Sequence, residues 1–210
     1  ILFPAFFSLL SFISFLFLFC FVGTSRASGA LAIVTRIDLQ GYPMEMCYGG
    51  MIGLVDDAQG SMAAKAMKLG RDLVQQQEKA GKRTFFGAII TTTAPPPPMM
   101  PPELSGKHMC MVLVATWQAG AAAEAELKRF VDLGPQAVGG PLGPMPFPIF
   151  SNIMAPMFNM FPPAHGYWSG HFENSPDGLS DQAIDTLVSS WVNRPPFMGP
   201  GLTGLEFHGG

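Results

Sequence analysis

Tyr167, Ser169 and His171 stand at alternate positions of the run Tyr167-Trp168-Ser169-Gly170-His171-Phe172. In an extended strand this spacing puts a phenol, a hydroxyl and an imidazole on one face, with Trp168, Gly170 and Phe172 on the other. Such a face can line a polar pocket, or it can be the outer side of a half-buried antiparallel strand; the residue types alone leave both open. Glu206 and His208 show the same two-residue spacing within residues 202–208. A carboxylate beside an imidazole is a usable acid/base pair, and it is also a common surface pair. Asp56 and Asp57 are adjacent at a turn with no third ligand nearby, so solvated side chains are expected there rather than a metal or acid/base site. Cys20, Cys47 and Cys110 are odd in number and far apart, which fits neither a disulfide framework nor a zinc site. No metal is expected. The hydrolase reading fails for want of a Gly-x-Ser-x-Gly elbow. The cluster Gly139-Gly140-Pro141-Leu142-Gly143 lacks the spacing of a phosphate loop and reads as a turn.

These residues need a scaffold. Residues 31–39 read as a strand, and residues 47–57 as a second one. Ser61 is expected to cap a helix running to about Lys79, with Met62, Ala66, Leu69 and Leu73 on its buried face and Gly81 closing it. Residues 84–93 and 107–117 read as strands joined by the proline tract 95–102, which cannot donate to a sheet ladder and so must be a loop. A helix follows from Gly120, burying Ala123, Leu127, Phe130 and Val131. A short amphipathic turn precedes the Tyr167 strand. Ser180 is expected to cap a last helix with Ile184, Leu187, Val188 and Trp191 inward, before a final strand at 202–208. Paired strands without regular βαβ alternation predict an α+β fold: an antiparallel sheet with helices on one face.

Composition narrows the partners. Charged residues make up 13% of the 210, hydrophobic ones 48%, and the formal net charge is −3. No basic surplus argues for nucleic acid, and no acidic run argues for a solvating tail. The chain opens on Ile1 rather than methionine, and its natural start is expected upstream. Residues 1–22 are almost wholly apolar. Three readings stay open for this N-terminal segment: a membrane span, the apolar core of a secretory signal, or sequence that is not native. Either of the first two would make the protein membrane-associated or secreted.

The stretch from Pro144 onward has a family likeness. Pro144-Met145-Pro146-Phe147, Phe161-Pro162-Pro163, Tyr167-Trp168 and Leu179-Ser180-Asp181 match, in order and spacing, a segment of the berberine-bridge-enzyme-like oxidases. Residues 31–39 likewise resemble the strand where that family's chain leaves its flavin-binding domain, with Ala30 and Ala32 in place of the family's asparagine and second glycine. Ser169 stands where the family has lysine. The chain thus resembles the substrate-domain portion of a flavin oxidase of the vanillyl-alcohol-oxidase type. Residues 1–24 are read as the apolar segment; the resemblance implies 25–40 as the end of an FAD-binding domain and 41–210 as a partial substrate domain. It implies FAD as cofactor, with Ile33, Val34 and Thr35 beside the flavin and Tyr167, His171, Glu206 and His208 lining a substrate pocket. The implied reaction moves a hydride from an organic alcohol, amine or sugar-like substrate to the flavin. No catalytic residue is assigned, and the chain alone is expected to be inactive. Its implied partners are the small-molecule substrate and a separate FAD-binding domain, with membrane contact only through residues 1–22. The competing expectation is a membrane-anchored binding or structural domain.

Overall fold

The computed structural model describes residues 46–81, 84–97, 100–118, 120–155, 178–194 and 202–208. All of them lie in the unit Met44–Gly210, the second of two into which the chain divides. In chain order they form β1 (Met46–Val55), α1 (Ser61–Lys79), β2 (Phe85–Thr93), β3 (His108–Thr116), α2 (Ala121–Val131), β4 (Gln136–Gly139), β5 (Gly143–Pro146), α3 (Phe147–Ser151), α4 (Asp181–Val192) and β6 (Leu202–His208).

Strands rich in valine, isoleucine, threonine and phenylalanine pair into one six-stranded antiparallel sheet, ordered β4–β1–β3–β2–β6, with β5 also on β1. The β2–β3 connection is the expected proline loop. It is closed by the Ala94 N–H donating to the Lys107 carbonyl at 2.8 Å and the Gly106 N–H to the Ala94 carbonyl at 3.0 Å. The glycine cluster expected as a turn joins β4 to β5, and both of those short strands pair with β1. Gly139 is required at that corner: its φ is +97°, and a Cβ there would lie 2.2 Å from the Met51 carbonyl oxygen.

Period-two alternation gives the sheet two faces. The first carries Ile52 and Leu54 of β1, Phe85 and Ile89 of β2, and Cys110, Val112 and Val114 of β3. Over it pack Ala63, Ala66, Met67 and Leu73 of α1, Leu127 and Phe130 of α2, and Ile184 and Val188 of α4, forming the main core. Phe85 and Phe130 stack across it with ring centroids 6.0 Å apart. The fold is therefore α+β, with the three long helices segregated to one face. The five-residue α3 differs: it seats Phe150 against Cys47 and Ala115 at one end of the opposite face.

Ser180 caps α4 as expected, accepting from the Ala183 N–H at 3.1 Å. Ser61 does not cap α1. The cap position falls to Gly60, at φ +74°, where a Cβ would meet Val188 of α4 at 2.4 Å. The helix start is satisfied from further back, by Asp56, whose carboxylate accepts from the Met62 N–H at 2.7 Å and the Ala63 N–H at 2.9 Å. The expectation of a solvated aspartate pair is thus corrected for Asp56, which is only 8% exposed. Asp57 is exposed, and its carboxylate accepts from the Gln59 and Ser61 N–H groups. Those backbone bonds, Ser61 first, hold its pKa below the ordinary carboxylate value. Among the described residues no helix is long and apolar enough to cross a membrane, and residues 1–22 lie outside them.

Candidate functional site

The second face of the sheet is the one that the three long helices do not cover. Its positions follow from register. One row runs Met51–Leu113–Ala88–Glu206 across β1, β3, β2 and β6. The next row is Gly53–Met111–Ile90–Gly204, and on the other side lies Gly49–Ala115–Phe86–His208. An antiparallel sheet that turns one face to water normally alternates apolar and polar along each strand. Here the positions facing away from the helices are apolar as well. Ala88 and Met111 are buried, and Met51, Leu113, Ile90 and Phe86 are half-buried.

Each end of this face is closed by a small apolar cluster. At one end Phe150 and Phe86 meet edge to face at 5.9 Å, and Trp117 leans on Phe147 at 5.8 Å, beside Cys47 and Met145. Burial pushes the Cys47 thiol above its ordinary pKa, so this cysteine is a packing residue rather than a nucleophile. At the other end Met109 packs with Ala94 and Leu104, flanked by Met100, Ala137 and Val138. Between the two clusters lies an apolar strip three strands wide, with the exposed Glu206 on the edge strand as the charged residue of its central row.

Of the residues singled out from sequence, Ile33, Val34, Thr35, Tyr167 and His171 lie outside the described residues. Glu206 and His208 both lie on β6, opposite Ala88 and Phe86, so the structure brings them to the margin of the apolar strip.

A second polar cluster, unforeseen in the sequence, sits at the other side of the sheet beneath the C-terminal end of α4. The Arg194 guanidinium lies 3.8 Å from the centroid of the Trp191 ring. It donates to the Thr93 hydroxyl and to the Trp191 carbonyl, both at 2.8 Å. The His108 ring meets Trp191 edge-on at 5.0 Å. His108 Nδ1, Trp191 Nε1 and Thr91 Oγ1 are buried with no hydrogen-bond partner. Burial lowers the pKa of Arg194, which stays a cation all the same. This cluster braces the helix end against β2 and β3. The sequence signal was Arg194 just before Pro195-Pro196, which reads only as a helix stop.

A half-buried polar relay at the C-terminal end of α1 was equally hidden. Gln77 donates to both oxygens of Glu126 at 3.0 and 3.1 Å and accepts from the Thr84 N–H at 2.9 Å. Gln118 donates to the same carboxylate at 2.6 Å. It ties α1 and α2 to the start of β2 and the end of β3. The outer face of α4 has a shallow polar depression lined by Gln182, Thr186, Ser189 and Asn193. There Thr186 and Asn193 already donate to the helix's own carbonyls. Among the described residues, no three His, Cys, Asp or Glu side chains are placed to hold a metal ion. No known family model matches the chain, and no curated protein matches it.

Proposed function

We propose that residues 41–210 form the substrate side of an FAD-dependent oxidoreductase of the berberine-bridge-enzyme-like kind, acting with a separate FAD-binding domain. The observation that carries this reading is the apolar second face of the sheet, with Met51, Leu113, Ala88 and Ile90 at its centre. Helices cover the first face, and in this reading the apolar strip on the second would roof the isoalloxazine ring, whose apolar body would cost little to bury there. The family likeness of residues 144–147 and 179–181 adds to it. In this reading the flavin supplies the hydride chemistry, and the chain positions an organic alcohol, amine or sugar-like substrate against it. Glu206, with Tyr167, His171 and His208, would line the substrate pocket. Ile33, Val34 and Thr35 would run beside the flavin.

Neither α1 nor α4 is free to bind a pyrophosphate at its N-terminus. The first N–H groups of α1 are taken by Asp56 and Asp57, and α4 opens on Ser180 and Asp181. FAD added to the chain without the separate FAD-binding domain is expected to be lost on gel filtration. The ring system by itself tests the proposed face. Lumiflavin titrated into isotope-labelled protein is expected to shift the backbone amide signals of Met51, Ala88, Ile90 and Leu113, with weak, saturable binding that Leu113→Asp abolishes. Shifts confined to the helix face, or no shift at all, would sink the proposal.

A further inference from the structure

We draw no further inference here: the strongest candidate, the outer edge of β6, a strand that pairs only with β2 among the described residues, carries nothing because no contact in the structure shows what covers it.

Discussion

Asp56 ends β1 and starts α1 at once. Its backbone N–H donates to the His108 carbonyl at 2.9 Å, which continues the β1–β3 ladder by one step. Its carboxylate accepts from the Asp57, Met62 and Ala63 N–H groups at 2.7–2.9 Å. A negative charge at a helix N-terminus is favoured by the helix dipole, and bonds to an ionised acceptor are the stronger kind. Buried on the same side, Cys110 feels that charge: desolvation first, and Asp56 second, raise its thiol pKa. Asp56→Ala would leave three N–H groups short of an acceptor and is expected to cost about 2 kcal/mol of stability. Asp56→Asn, which keeps one acceptor oxygen, should lose less. Urea denaturation of the two variants checks this, and an Ala variant as stable as wild type would remove Asp56 from its capping role.

At the scale of elements, α1 is the helix the others lean on. Gly70 in its middle is a poor helix residue, but a Cβ there would lie 2.6 Å from Cε2 of Phe207, so the ring of β6 rests directly on the helix backbone. Gly70→Ala gains roughly 1 kcal/mol in helix propensity and loses more than that to the clash. The variant is expected to melt lower than wild type, and the sign should reverse when Phe207→Leu makes room. A higher melting temperature for Gly70→Ala alone would mean that Phe207 is not packed there. α4 is held to α1 by charge as well as by Ile184 and Val188. Arg71 donates to Asp181 at 2.6 Å and to the Leu179 carbonyl at 2.8 Å, and Lys68 lies 2.8 Å from Asp185. The Arg71 hydrogen bond, helped by Lys68, holds the Asp181 pKa below its ordinary value. A carboxyl with a lowered folded-state pKa adds stability above its unfolded pKa of about 4, and that contribution is lost as pH falls through the folded value. The melting-temperature gap between wild type and Asp181→Asn should therefore shrink from pH 7 to about pH 3. A gap that does not change with pH would show that this pair does no work. Much at this scale was legible in advance. The α1 span and the Ser180 cap follow from apolar spacing and cap chemistry, and so does the burial of Leu127 and Phe130. The strands β4 and β5, both laid along β1, did not, because two four-residue strands full of glycine and proline carry no periodicity. Gly70, Gln77 and Arg194 were equally silent, since Phe207, Glu126 and Thr93, which they meet, lie 137, 49 and 101 positions away along the chain, where no local pattern reveals them. Of the candidate site, alternation located Glu206 and His208 on one strand, while the apolar strip beside them emerged only once register was known.

Across the described residues as a whole, the sheet is apolar on both sides. One side is spent on three helices. The order β4–β1–β3–β2–β6 also places a late strand beside an early one: β6 lies against β2 although the two are about 120 positions apart, and closing so long a loop carries an entropic cost that local hairpins avoid. The β2–β3 hairpin needs only its proline loop, so it can form while the rest of the chain is still unstructured. This difference in reach sets a timetable. In a refolding experiment with pulsed hydrogen exchange, amides shared by β2 and β3 should gain protection first, and those of β6 last. Simultaneous protection of β6 and β3 would overturn that order. The same delay has a consequence during synthesis: until β6 arrives, the outer backbone of β2 is an open edge, and the nascent chain is vulnerable to pairing with a neighbour in the interval before β6 is made.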